Sequence, residues 1–162
     1  MSSGRTKDNE KTNVMRILES AQIPYAFYSY QPDSSLTGGD IASLLHESPG
    51  SVFKTLVTCG KSNQHYVFVV PVDAELNLKK AAKAVGEKSI EMIPQKQLLP
   101  LTGYVHGGCS PVGMKKAFPT VIHESAALLD RMYVSGGRVG MQISVAPGDL
   151  CSYISAKYAD LV

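Results

Sequence analysis

Apolar residues recur at helical spacing near the start of the chain. Val14, Ile17, Leu18 and Ala21 fall at i, i+3, i+4 and i+7, which places them on one side of a helix, and Pro24 ends the pattern. Three further segments have the composition and end signals of helices: TGGDIASLLH (37–46), LKKAAKAVG (78–86) and GDLCSYISAKY (148–158). The sequence therefore predicts four helices spread along the chain.

The second and third of these helices have predicted buried sides. Ile41, Leu44 and Leu45 share one side of the second helix. The third helix turns four apolar residues inward and three lysines toward solvent, and Gly86 marks its end; the apolar set is Leu78, Ala81, Ala82 and Val85.

Between the helices lie short segments rich in β-branched and aromatic residues. SVFKTLVTCG (51–60) and HYVFVVPV (65–72) are separated by a turn sequence, which predicts a hairpin and places Lys54 in its first strand. Further strands are predicted at YAFYSY (25–30), SIEMI (89–93), TVIHE (120–124), RMYVS (131–135) and GMQISV (140–145). Helices and strands do not alternate regularly, so we expect an α+β fold with a mixed, curled sheet and helices packed outside it.

Chain length and net charge limit the classes of protein to which this chain could belong. A chain of 162 residues with 44% hydrophobic and 19% charged residues is typical of one globular domain, predicted here over residues 12–162 after a polar, disordered tail at 1–11. The formal net charge of +2 argues against nonspecific binding to long nucleic acids but permits contact with a short piece of RNA. No secretory signal or membrane span is predicted, so we expect a cytoplasmic protein.

The cysteines and histidines predict neither a metal site nor a set of disulfide bonds. The three cysteines form no CxxC pair, and the four histidines are scattered, so a structural zinc site lacks ligands. We expect no metal and no cofactor.

The segment YVHGGCSPVGMKK (104–116) combines features of three motifs. As a phosphate-binding loop it fails, because Met114 stands where the motif requires lysine. Cys109 beside His106 could form a nucleophile and base, although a cysteine in such a setting is more often a small buried residue. A third interpretation is a shaped backbone loop in which Gly107 and Gly108 let a ligand approach the main chain.

Three separated motifs resemble one known family. VFKTLV (52–57), GGCSPVG (107–113) and YVSGGRVG (133–140) occur in the order and spacing of the YbaK/EbsC family, bacterial relatives of the editing domain inserted in prolyl-tRNA synthetases. The resemblance extends over about residues 12–162. It implies a mixed, barrel-like sheet of six to seven strands flanked by helices, and the activity of a deacylase that removes cysteine from mischarged Cys-tRNA(Pro).

The resemblance also implies a site. Lys54 matches the lysine that the family needs for activity. The positions that match substrate-binding residues are Tyr30, Thr55, Gly107, Gly108, Ser110, Pro111, Ser135, Gly136, Gly137 and Gln142. The implied partners are the acceptor end of an aminoacylated tRNA and prolyl-tRNA synthetase.

Two positions depart from the family pattern and leave alternatives open. Cys109 stands where relatives often carry an aliphatic residue, which disfavours it as the nucleophile, and Gln142 stands where close relatives can carry an aspartate. An amide pairs with the substrate's α-ammonium more weakly than a carboxylate does, so a water-dependent deacylase for Ala-tRNA(Pro) remains an alternative hypothesis. A noncatalytic module that binds a nucleotide or an RNA end is another, because a pocket can bind without turnover.

Overall fold

The structure, a computed structural model, describes residues 2–3 and 11–162. The predicted disordered tail at 1–11 falls mainly outside these residues. The described helices are α1 (Asn13–Ser20), α2 (Gly38–Leu44), α3 (Leu78–Val85), α4 (Leu98–Thr102) and α5 (Pro147–Tyr153). Short 3-10 helices lie at Pro49–Ser51, Gln95–Gln97 and Glu124–Leu128. The strands are β1 (Ser2–Ser3), β2 (Tyr25–Ser29), β3 (Phe53–Gly60), β4 (His65–Pro71), β5 (Ile90–Met92), β6 (Thr120–His123), β7 (Met132–Ser135), β8 (Met141–Val145) and β9 (Lys157–Ala159).

The strands form two sheets. One has the order β1-β2-β8-β7 and is antiparallel throughout; the other has the order β5-β3-β4-β6-β9 and is mixed, with β6 parallel to both β4 and β9. The predicted α+β class with a mixed sheet is confirmed. The barrel does not close: among the described residues, an isolated bridge between Val52 and Tyr133 is the strand pairing that links the two sheets, and a 3-10 helix at Pro49–Ser51 precedes Val52.

The predicted hairpin forms the centre of the mixed sheet. β3 and β4 pair antiparallel from Phe53 opposite Pro71 to Cys59 opposite His65. In β4, Val67 and Val69 belong to the main core, whereas Phe68 and Val70 pack beneath α3. A strand that is buried on both faces needs the continuous apolar run seen in the sequence.

Helix starts follow from capping side chains. Asn77 accepts hydrogen bonds from the backbone N–H groups of Lys79 and Lys80 at the start of α3, and Gly86 ends that helix in the left-handed region with φ 74°. α2 begins with a capping box between Thr37 and Asp40.

Some details differ from the sequence prediction. Leu44 and Leu78, both predicted to face inward, are 38% and 43% exposed, because Ala42 and Leu45 form the buried side of α2 and only Ala81 and Ala82 are buried in α3. The last helix ends at Tyr153 rather than continuing to residue 158, since the following residues form β9. α4 was not predicted.

Candidate active site

A cavity of about 430 Å³ lies along one edge of β3. Between Val52, which bridges to β7, and Thr58, which pairs with Met92 of β5, this edge of β3 faces no partner strand among the described residues. Five successive residues, 52–56, line the cavity, so the cavity follows the open edge of the strand instead of one face of it. Backbone polar groups on an open strand edge are available to a ligand.

Lys54 carries the positive charge of the cavity. Its position opposite Val70 of β4 is set by the hairpin register, and its side chain is 29% exposed. The Nζ atom lies 3.6 Å from a carboxylate oxygen of Glu75, a separation too long for a hydrogen bond but within the range of an ion pair. The lysine is therefore held loosely at the cavity wall.

Two buried side-chain oxygens in the cavity have no hydrogen-bond partner within residues 2–3 and 11–162. They are the hydroxyl oxygen Thr55 Oγ1 and the amide oxygen Gln142 Oε1. The other end of the Gln142 amide donates from Nε2 to the hydroxyl of Tyr30 at 3.3 Å, and burial raises the pKa of that hydroxyl. Because a buried polar atom without a partner is costly, such atoms in a cavity indicate a place for a ligand's donor groups.

The first glycine loop contributes shape more than side chains. Gly107 lines the cavity, whereas Gly108, Ser110 and Pro111 are buried behind it. A Cβ at Gly108 would lie 2.9 Å from the Cα of Arg138, so the two loops that flank the cavity approach as closely as only glycine permits. Ser110 Oγ accepts a hydrogen bond from the backbone N–H of Val112 and stabilises the loop itself.

The second glycine loop follows β7. Ser135 lines the cavity, and its Oγ accepts from the backbone N–H of Gly137 at 3.2 Å. Gly136 donates its N–H to the Met141 carbonyl at 2.8 Å, and Gly137 has φ 103°, a conformation that favours glycine. Gly136 and Gly137 are not among the residues that line the cavity, so the structure places them in support of the loop.

Cys109 and His106 both line the cavity but do not form a nucleophile and base. Within the described part of the chain no hydrogen bond joins them, and burial raises the pKa of the Cys109 thiol to about 12. At neutral pH this thiol stays protonated. Because the thiolate is the nucleophilic form of cysteine, Cys109 is not activated for attack.

Sequence reasoning missed part of the cavity wall. The start of α2 lies on it, as do Val72, Glu75 and Leu98. The capping-box pattern T-x-x-D signals the helix start, and the adjacent Gly38 packs against Val72, where a Cβ would come within 2.4 Å. Glu75 has no sequence signal, since it comes to the cavity only when the connection from β4 to α3 folds back.

Within residues 2–3 and 11–162, no group of three or more His, Cys, Asp or Glu side chains is arranged to hold a metal ion.

None of the helices described is long and apolar enough to cross a membrane.

Comparison with known proteins places the chain among editing domains. The model of the aminoacyl-tRNA editing domain family matches residues 34–153. The chain is 42% identical over 158 residues to EbsC of Enterococcus faecalis (strain ATCC 700802 / V583), whose name assigns it as a Cys-tRNA(Pro)/Cys-tRNA(Cys) deacylase; the match covers 97% of this chain and 96% of that protein.

Solved structures share the fold. One, described as a trans-editing enzyme for prolyl-tRNA synthetase, is 25% identical with a TM-score of 0.78, covering 91% of this chain and 95% of that chain. A hypothetical protein at 23% identity has a TM-score of 0.84, covering 91% and 97% of the two chains, and supports the fold alone.

Proposed function

The chain belongs to the aminoacyl-tRNA editing domain family, and on that premise we propose that it is a cytoplasmic trans-editing deacylase that removes cysteine from Cys-tRNA(Pro). The observation that carries the proposal is Lys54 on the open edge of β3, where its charge faces a cavity bounded by two glycine loops. The cavity holds an aminoacyl group, and the acceptor end of the tRNA lies at its mouth.

The substrate supplies the nucleophile. Cys109 remains protonated at neutral pH, and among the described residues Thr55 Oγ1 has no hydrogen-bond partner that could act as its base. The thiol of the cysteinyl group gives up its proton to solvent water, and the resulting thiolate attacks its own carbonyl carbon. A C–S bond forms, the ester C–O bond breaks, and the terminal ribose oxygen takes a proton, which leaves a cyclic thiolactone and free tRNA.

The protein contributes position and charge to this reaction. Lys54 stabilises the negative charge that develops on the carbonyl oxygen, and backbone N–H groups at the loop wall add to that stabilisation. The cavity holds the thiol and the carbonyl in near-attack geometry, which removes much of the entropic barrier. Prolyl and alanyl esters persist because they lack a thiol.

A panel of substrates tests the proposal. Purified protein is incubated with Cys-, Ser-, Ala- and Pro-tRNA(Pro), and loss of the aminoacyl label is followed. Only the cysteinyl ester is expected to be cleaved. Release of serine or alanine would point to a bound water as nucleophile, and release of nothing would favour a binding module. Because the net charge of +2 leaves little RNA-binding surface, adding prolyl-tRNA synthetase is expected to raise the rate.

A further inference from the structure

Glu75 brings a negative charge to the cavity. Among the described residues that line the cavity it is the only one with a carboxylate, and Lys54 is the only lysine or arginine. The two opposite charges lie 3.6 Å apart, and the Glu75 side chain is 96% exposed while the Lys54 side chain is 29% exposed. The carboxylate thus stands on the solvent side of the lysine, at the mouth of the cavity.

The backbone that carries Glu75 is fixed at both ends. Val72 donates its N–H to the carbonyl of Val52 at 2.9 Å, and Asn77 donates its N–H to the carbonyl of Leu161 at 2.7 Å. A turn near Glu75 is closed by the Ala74 N–H, which donates to the Pro71 carbonyl at 3.1 Å. The position of Glu75 at the mouth therefore follows from the fold, while its carboxylate is free to change partner.

An aminoacyl ester presents the matching charges. Its α-ammonium group lies two bonds from the carbonyl carbon, so positive charge and carbonyl oxygen arrive at the cavity side by side. Lys54 alone would attract the carbonyl oxygen but repel the adjacent ammonium group. A carboxylate next to the lysine offsets that repulsion, which neither Thr55 nor Gln142 can do, because their free acceptors are uncharged.

We propose that Glu75 is a specificity-determining residue that binds the α-ammonium group of the aminoacyl substrate, leaving Lys54 for the carbonyl oxygen. The inference rests on the proposed deacylase function and deepens it. Exchange of partners costs little, since an ion pair whose carboxylate is exposed to solvent contributes little to stability. The site then selects esters with a free α-amine over N-blocked or deaminated acyl groups.

The test compares two thiol substrates that differ only in the amine. Cys-tRNA(Pro) and 3-mercaptopropionyl-tRNA(Pro) are given to the wild type, to Glu75→Gln, and to Glu91→Gln, an exposed matched control on β5. We expect Glu75→Gln to lower kcat/KM on Cys-tRNA(Pro) by about three- to tenfold, and to leave the 3-mercaptopropionyl ester unchanged. Glu91→Gln should change neither rate, and thermal unfolding verifies that all variants fold.

Each other outcome overturns the inference. An equal loss on both substrates would mean that Glu75 only positions Lys54, and a gain on both would mean that it competes with the substrate for that lysine. If neither rate changed, Glu75 would have no part in recognising the substrate. Failure of the wild type to cleave Cys-tRNA(Pro) is a separate result, which overturns the proposed function and this inference with it.

Discussion

The two walls of the cavity are built differently. The β3 wall presents the side chains of Lys54 and Thr55 on the part of the strand edge before β5 begins, where the structure as described has no neighbouring strand and no partner for the Thr55 hydroxyl. The loop wall lines the cavity with Gly107, Cys109 and Ser135, and behind them the two loops meet backbone to backbone, because Gly108 leaves room for Arg138 and Val139. The comparison shows that the positive charge of the cavity comes from the strand, while the close packing of the glycine loops sets the shape of the space in front of it.

The largest expected effect comes from removing the charge on the strand wall. Lys54→Ala should lower the rate of Cys-tRNA(Pro) deacylation by roughly 100-fold or more, as loss of a charge-stabilising donor does at other sites. Its fold should persist, since this side chain is partly exposed and its ion pair with Glu75 is exposed. Single-turnover deacylation and thermal unfolding measure the two quantities.

Lys61→Ala is the matched control for this prediction. Lys61 is an exposed lysine in the turn between β3 and β4, away from the residues that line the cavity. Its loss should leave the rate unchanged. If Lys54→Ala retained activity, the charge of Lys54 would not be needed for the reaction.

A smaller effect is expected from disturbing the loop wall. In Gly108→Ala the new Cβ would meet the Arg138 Cα and the Val139 nitrogen, both at 2.9 Å, so the loops must move apart. We expect about 1–3 kcal/mol of lost stability and roughly tenfold lower activity. Urea unfolding and deacylation assays measure both. Gly50→Ala is the control, because a Cβ there meets nothing within 4 Å; equal behaviour of the two variants would contradict the close-packing argument.

The smallest effect on activity is expected at Cys109. Cys109→Ala should keep the deacylation rate within about threefold, because the thiol is protonated at neutral pH. A large loss of rate would instead restore this thiol as the nucleophile.

Burial of the Cys109 thiol should make the free energy of unfolding depend on pH. Burial raises its pKa from the ordinary 9.0 to about 12, so above pH 9 the unfolded state loses the proton first and the folded state is destabilised. The contribution is complete below pH 9 and is lost as the pH rises toward 12. Urea unfolding from about pH 7 to about pH 10 should show a smaller decline in Cys109→Ala than in the wild type.

Local patterns predicted the hairpin better than the chain end. HYVFVVPV forms β4 because its alternate apolar residues pack into two different cores, which the continuous apolar run already indicates, and SVFKTLVTCG pairs with it as β3. The predicted helix at 148–158 instead divides into α5 and β9. Its last residues pair with β6, a neighbour distant in the chain, and local composition contains no information about that pairing.

The amino-acid sequence by itself determined the α+β class, the family, the placement of Lys54 in a strand and the two glycine loops. Only the tertiary structure decided which residues meet at the cavity. It places Gly136 and Gly137 behind the lining of the cavity and brings Glu75 close to Lys54. It also leaves Thr55 Oγ1 and Gln142 Oε1 without a hydrogen-bond partner among the described residues. The physical reason is that propensity and spacing act over a few neighbouring residues, whereas a cavity is formed by strands and loops that are distant in the chain and packed together.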